Sequence, residues 1–488
     1  MKTLTGYLYF PDSLEEADGI TYFLVRSEEE NTKHLGVMVS RPRGADRLAG
    51  FRGGQGVAGD SGATTHLFPL TPENAALLRQ RLPWLCPQPL GLRLTAGFGD
   101  RLGLATPGHV RAVEGTGIAP IFAQQSVREN ARTHRTPQQV MDDAMWGVFQ
   151  SGWRQPWGAD ADHLKTPADI DSFYDAGFTF YTIDPGDHVD NDAQQDNLDV
   201  LRQKLGRLPW DQLRSTPEQT LNTYLAKTFT IEGFPLEFRE ETLLRALAKY
   251  GRAIAHTVMM AEHLARRSTG RNYDLEVSVD ETHTPTSAEE HFLVASELQR
   301  LGVRWQSLAP RFVGRFEKGV DYIGDLTQFE AEIPRHAAIA RYFGFYRLSL
   351  HSGSDKFSIY SIAARHTRGL LHLKTAGTSY LEALRVVAQV APSLFRDILS
   401  LAIERYEEDR ASYHVSATLS KVTGPQALAD HELAALLDQF DSRQVFHVTF
   451  GAVMDRFGPA LLDTLRANEN AYYDILAKHF KKHVSPLI

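Results

Sequence analysis

From about residue 91 onward, short apolar runs alternate with helix-capable segments, and the alternation occurs eight times. The runs are GLRLTAGFG (91–99), APIFAQQS (119–126), WGADADH (157–163), FTFYTID (178–184), YDLEVSVDE (273–281), VRWQSLAPRF (303–312), YRLSLHS (346–352) and LLHLKTAG (370–377). A strand, a helix and another strand in succession read as a βαβ unit, which belongs to a parallel sheet. Eight such units predict a closed (β/α)8 TIM-type barrel. An open doubly wound sheet is the competitor, but it would gather polar groups at one switch point. Here they stand at the C-terminal end of nearly every run. No GxGxxG fingerprint lies between a strand and a helix, so no nicotinamide cofactor is expected. Thr106-Pro107, Thr136-Pro137 and Thr166-Pro167 recur at intervals of thirty residues. Each pair reads as a helix N-cap followed by proline in the first turn, and Thr284-Pro285 repeats the device after the fifth run.

Around the barrel, assigned to residues 91–390, three further regions are expected. Residues 1–90 read as a small α/β region, with TYFLVR (21–26) and HLGVMVS (34–40) as paired strands and a helix over 71–82 capped by Thr71. Within it FRGGQGVAGDSGA (51–63) lacks the GK[ST] ending of a phosphate loop and reads as a mobile surface loop. Residues 185–238 read as an insertion over the barrel mouth, followed by a helix over 239–267 on which Leu243, Leu247, Tyr250, Ile254, Ala261 and Leu264 keep helical spacing. His256 and His263 read as ordinary residues of that helix. Residues 391–488 read as a helical extension packed on the barrel.

A net charge of −8 and the lack of any basic run argue against a nucleic-acid binder. Cys86 is the only cysteine, which excludes an intramolecular disulfide and a cysteine-cluster zinc site. The first residues lack the pattern of a signal peptide, and no apolar run reaches membrane-spanning length. A cytoplasmic protein without membrane partners is expected; assembly into a homo-oligomer is left open.

The chemistry gathers at the run ends. The third carries Asp160, Asp162 and His163; the fifth carries Glu276, Ser278, Asp280 and Glu281. Side chains alternate along a strand, so Glu276, Ser278 and Asp280 share a face. Buried charges are costly unless they are paired or bound to a cation. With His351 and His372 from the last two runs, these groups form a mixed nitrogen and oxygen donor set suited to one divalent ion, Zn²⁺, Mn²⁺, Ni²⁺ or Co²⁺. HSGSDK and KTAGTS, each followed by a helix, suit an anion. Ser352, Ser354, Asp355, Lys356, Lys374 and Thr375 are therefore candidates for substrate binding, with either lysine as the clamp for a carboxylate. Gln124, Gln125, Ser126, Arg128 and Glu129 offer hydroxyl-reading groups and a second anion contact. The turn DPGDHVD (184–190) reads as structural.

The segments GFGDRLG, PIFAQQSVREN, DDAMWGVFQ, GADADH, YTIDPGDHV, EVSVDET, TPTS, HSGSDKFS, HLKTAGTSYLEA and EEDRASYHVSA together resemble the tagaturonate epimerase family. The resemblance runs from about residue 91 to the C-terminus. It implies a barrel, dependence on a divalent metal, and interconversion of tagaturonate and fructuronate in hexuronate catabolism. It also implies acid–base roles for Asp162 and Glu276 and metal ligation by His163 and His351; His372 as a further ligand follows from strand geometry alone.

The two sugar acids differ at ketose carbon 4, whose C–H is not acidified by simple enolisation. The routes open to such an enzyme are retro-aldol cleavage with rotation and re-addition, transient oxidation at carbon 4, and direct proton transfer through the acid–base pair. Visible donors and no dinucleotide fingerprint favour the first. Two other readings stand beside the epimerase: a metal-dependent sugar aldolase or isomerase on the same barrel, and a sugar-acid sensor without turnover.

Overall fold

The structure is a computed structural model that describes the chain except residues 1–3, 5, 40–47, 49, 59–63, 226 and 345. Its centre is a closed barrel of eight parallel strands: Thr95–Phe98, Ala119–Ser126, Gly158–Leu164, Phe180–Ile183, Asp274–Val279, Ser307–Pro310, Arg347–Leu350 and Leu371–Thr375, the first to eighth strands below. Each strand pairs with its sequence neighbours, and the eighth closes on the first with His372 opposite Thr95 and Lys374 opposite Gly97. Every expected run holds one strand.

Helices Thr106–Val113, Pro137–Gln150, Pro167–Asp175, Glu240–Arg267, Ala288–Arg300, Leu326–Tyr342, Tyr360–Thr367 and Thr378–Val390 follow the eight strands in turn. On the helix Glu240–Arg267 all six expected apolar positions are buried, so the 3.6-residue spacing turns one stripe inward. Thr136 and Thr166 cap their helices, each with a reciprocal bond from the residue three positions on. The other two threonines differ. Thr106 is already the first helical residue, and the preceding N–H groups go instead to the Asp100 carboxylate, which accepts from Leu102, Gly103 and Ala105. After the fifth strand the cap is Ser287, and the Thr284 hydroxyl meets Lys249.

The N-terminal strands Tyr7–Ala17, Ile20–Ser27, Lys33–Val39, Gln55–Ala58 and Thr64–Pro69 form an antiparallel sheet in the order first, second, third, fifth, fourth. Part of the glycine-rich stretch is therefore a strand, Gln55–Ala58 pairing with Thr64–Pro69; residues 59–63 lie outside the described residues, as does Ser40. Lys33 ties the sheet to Gln150 and to Glu469. Residues 198–225 and 227–237 do not cover the mouth. They pack along the outside of the barrel: Tyr224 bonds Glu297, Phe229 packs on Phe292, and Glu232 pairs with Arg341. His263 pairs with Asp171 and His256 stacks on His188. The last long helix, Glu469–Val484, places Phe480 against Phe98 and His109 beside the first strand. Among the described residues no helix is long and apolar enough to cross a membrane.

Barrel interiors are ordinarily filled by branched apolar side chains. This one is polar. Thr95, Asp160, Thr182, Glu276, Ser307, Arg347, His372 and Lys374 are all buried on its strands. Glycine at position 97 leaves room for the amide of Gln124, which would have to move aside for a Cβ there.

A prediction follows for the Asp100 turn. Asp100→Ala leaves three N–H groups without their acceptor and should cost roughly 1–3 kcal/mol. The urea midpoint should fall with an unchanged slope; an unchanged midpoint would show that water replaces the carboxylate.

Candidate active site

The ammonium of Lys374 stands at the centre of the barrel's C-terminal half. It contacts Asp162 at 2.8 Å, Thr182 at 2.9 Å, Glu276 at 3.0 Å and Asp160 at 3.1 Å. Thr182 also donates to Asp160 or Glu276, and Ser307 donates to the second oxygen of Glu276 at 2.6 Å. Burial opposes the charge on Lys374, but the three carboxylates outweigh it and hold its pKa well above the ordinary value. Asp162 and Glu276 pass the same test: burial would raise them, yet His163 and Lys374 hold Asp162 down, and Lys374 and His351 hold Glu276 down. Asp160 goes the other way. Its burial prevails over Lys374, repulsion from Asp162 and Glu276 adds to it, and the carboxyl rises to about 7.

Each of the two ionised carboxylates is topped by an imidazole. His351 Nε2 is 2.6 Å from Glu276 and its Nδ1 is 3.2 Å from Asp280. His163 Nε2 is 3.5 Å from Asp162, and its Nδ1 bonds Asp184 at 3.1 Å. The ring centres of His163 and His351 are 5.3 Å apart. Adjacent residues on a regular strand point to opposite faces, so Asp162 and His163 share the mouth only through a local break. The pairing of strands three and four shifts register between Ala161 and Leu164, and His163 sits in that bulge at φ 55°. A bulge re-aims a side chain, and an imidazole held at positive φ is a strained backbone kept by its surroundings. Burial pulls both imidazoles down, but Asp162 and Asp184 lift His163 to about 10, and Asp280 and Glu276 lift His351 to about 9 against Lys374 as well.

A cavity of about 520 Å³ opens above these rings. His163, Asp280, Glu281 and His351 form one side, and Arg128, Arg311 and Lys318 bring positive charge to it. Ser412, Tyr413 and His414 reach over it from the C-terminal helical region. The Arg128 guanidinium lies 5.0 Å from the Tyr413 ring centre. Burial and the neighbouring Arg128 lower the Lys318 pKa.

Several expected ligand contacts are taken up inside the protein. Lys356 does not face the cavity: its ammonium donates to the carbonyls of Glu317, Val320 and Ser354 at 2.8, 2.5 and 2.9 Å. Burial lowers it to about 7, yet all three N–H groups are satisfied. Lys374 holds carboxylates of the protein, so neither expected lysine is free to clamp a substrate. Ser126 caps the helix Val127–Thr133, and Glu129 pairs with Arg101 at 2.7 Å. Ser354 bridges to Ala376, and Thr375 donates to the Gly97 carbonyl. Asp355 turns toward the C-terminal helices, where it meets His479 at 2.7 Å and Arg443 at 3.0 Å. Gln124 donates to the Thr375 carbonyl; Gln125 is buried with neither amide atom bonded among the described residues. Ser352 and Arg128 do line the cavity. His372 lies two residues before Lys374, with Nδ1 on Thr95 and its ring on Phe180, both at the starts of their strands. It is thus a layer below the other imidazoles. Asp162 and Glu276 share one ammonium instead of facing each other across an open mouth.

Sequence reasoning missed Arg311, which stands at the tip of the sixth strand inside one of the expected runs, and Lys318, Tyr413 and His414, which come from loops with no strand-tip pattern. It left Asp184 as part of a turn; its acidic side chain at the end of the fourth strand was the available signal.

Fold and site define a (β/α)8 barrel with a candidate active site at its C-terminal mouth. The family described as tagaturonate epimerase matches residues 10–487. A curated tagaturonate/fructuronate epimerase of Thermotoga maritima is 45% identical over 484 residues, 99% of this chain and 97% of that protein. The native crystal structure of a fructuronate–tagaturonate epimerase from Cohnella laeviribosi superimposes with a TM-score of 0.92 at 39% identity, covering 99% of this chain and 97% of that one. A glycerol complex of the same enzyme gives 0.91 at 39% identity, over 99% and 96% of the two chains. The chain belongs to the tagaturonate epimerase family and is an isomerase.

Lys374→Met would leave Asp160, Asp162 and Glu276 without their counter-charge. Loss of one partner of a buried ion pair costs about 3–5 kcal/mol, so a lower denaturation midpoint is predicted together with loss of turnover. A variant with wild-type stability and only a raised KM would return Lys374 to the role of substrate clamp.

Proposed function

We infer that this chain interconverts D-tagaturonate and D-fructuronate by inverting ketose carbon 4. The observation that supports this best is the full-length likeness to a curated tagaturonate/fructuronate epimerase, in a chain whose barrel mouth joins two imidazole–carboxylate pairs.

The mouth offers donors for a divalent cation: His163, Asp184 and Glu281 present ligand atoms close enough to share one ion. The His163 ring is buttressed through Nδ1 by Asp184, the usual support of a ligating histidine, and its Nε2 makes no hydrogen bond among the described residues. His163 and His351 would hold the ion, with Asp162, Glu276 and Asp280 as the carboxylates in reach of their rings. His372, a layer lower, is left out. When bound, the ion supplies a Lewis acid for the ketone and its neighbouring hydroxyl. Nitrogen and carboxylate donors suit Zn²⁺, Mn²⁺, Ni²⁺ or Co²⁺.

The chain's own residues handle the protons. Lys374 keeps Asp162 and Glu276 ionised, and ionised carboxylates can act as bases. In the retro-aldol route one of them takes the proton of the carbon-4 hydroxyl, the bond between carbons 3 and 4 breaks, and the aldehyde turns before the bond re-forms. The proton then returns to the new alkoxide. The cavity above the rings leaves room for that turn.

The deciding experiment is to incubate metal-supplemented protein with tagaturonate and follow fructuronate by NMR. Release of free three-carbon products would make it an aldolase, and binding without conversion would make it a sensor. Chelator should abolish turnover, and a divalent ion should restore it; full activity in metal-free protein would remove the ion from the reading. Asp162→Asn and Glu276→Gln should each lower kcat by roughly 10²–10⁴-fold. Near-normal kcat in both would sink the pair. If Glu276→Gln loses the metal, Asp280 is the next base to test. Deuterium entering carbon 4 in D₂O would exclude the retro-aldol route in favour of direct proton transfer.

A further inference from the structure

We propose that Lys318 binds the carboxylate of the sugar-acid substrate, with Arg128 as a second cation, and so sets the preference for uronates over neutral ketoses. The proposal rests on the epimerase reading and names the residue that makes that site selective for an acid.

The first observation is unbalanced charge. The carboxylates at the barrel centre are all paired, to Lys374 or to an imidazole. By contrast, Arg128, Arg311 and Lys318 face the cavity, and among the described residues none of them makes an ion pair. Arg128 reaches the Ser412 carbonyl at 3.4 Å, and Arg311 reaches the Thr282 carbonyl. Lys318 donates to the Ser352 hydroxyl at 2.6 Å. That leaves two of its three N–H groups for a ligand.

The second is rigidity. A lysine on a free loop would be a poor clamp, since ordering it opposes binding. The residues flanking Lys318 are pinned from three directions. Lys356 holds the carbonyls of Glu317 and Val320, and Arg443 holds the Gly319 carbonyl at 2.6 Å. Ser416 and Gln444 hold the Glu317 carboxylate at 2.7 and 2.8 Å. Lys356, expected to bind the anion itself, instead fixes the loop that carries the anion-binding lysine.

The third is placement. Ser352, the partner of Lys318, directly follows His351 and is held at φ 49°. The cation therefore lies one residue from the imidazole side of the site. In the substrate the carboxylate carbon is two carbons from carbon 4. Asp280 and Glu281 line the same cavity and repel a carboxylate, so Arg128, Arg311 and Lys318 are the lining groups that can attract one.

The test begins with the wild type. Failure to convert tagaturonate would end the epimerase reading; with conversion established, the variants address Lys318 alone. Lys318→Gln keeps a donor for Ser352 and removes the charge. KM for the uronate should rise about 10- to 100-fold, as for loss of a charged hydrogen bond, with kcat within about threefold. Lys318→Arg should recover most of the loss, and the salt dependence of kcat/KM should flatten in Lys318→Gln. Arg128→Met should raise KM by a smaller factor. Wild-type KM in Lys318→Gln, or a fall in kcat at constant KM, would overturn the proposal. If Lys318→Gln does not fold, Lys318→Arg and Lys318→Met decide: activity equal in both at wild-type KM overturns it, and a KM raised only in the methionine variant supports it.

Discussion

An ammonium buried among carboxylates is the constraint on which the barrel interior depends. Lys374 cannot be buried without neighbours of opposite charge, and Asp160, Asp162 and Glu276 cannot be buried without it. The four side chains come from the third, fifth and eighth strands, so their mutual need fixes which residues share a layer. It also explains why Thr182 and Ser307 occupy positions that most barrels give to apolar side chains: each donates a hydroxyl to a carboxylate that the ammonium alone leaves half-satisfied. A polar interior of this kind is weak as a source of stability. What it provides is two buried carboxylates, Asp162 and Glu276, kept ionised.

The site is finished by parts outside the barrel. The loop that bears Lys318 is held by Arg443 and Gln444 from the C-terminal helices, and Tyr413 from the same region stacks on Arg128. The same group of helices packs on the barrel, with Phe480 against Phe98 of the first strand and His479 on Asp355. The C-terminal region is thus part of the catalytic architecture, although none of the carboxylates or imidazoles at its centre comes from it.

The strands were legible because each apolar run is bounded by polar residues, and two of the four threonine caps were legible from Thr-Pro alone. The other two were not: Asp100 takes N–H groups of the turn before its helix and Ser287 caps the other helix, and nothing in the dipeptide distinguishes a cap from a first-turn or loop residue. Asp162, His163, Glu276 and His351 were all expected at the site and are brought together. The expected lysines show the limit of the reading. Lys356 and Lys374 follow similar small-residue motifs at adjacent strand tips, yet one meets three carbonyls and the other three carboxylates. Strand position tells where a side chain begins; what it meets depends on the tertiary packing, a nearby loop for Lys356 and distant strands for Lys374. Lys318 was illegible for the converse reason, since its loop carries no motif and gains its role from its anchors.

The two imidazoles carry the last step of the argument. Asp162, Asp184, Glu276 and Asp280 crowd around His163 and His351 and pull protons onto both rings. Two imidazolium charges therefore balance carboxylates that would otherwise repel one another. A divalent cation held by the same two rings in their neutral form brings the same charge to the same place. Exchange of two protons for one such ion would leave the net charge of the cluster unchanged. The raised imidazoles thus belong to the same donor set that the proposed ion would use. They also imply that binding of the ion competes with protons, and so strengthens as the pH rises through the range where the rings give them up.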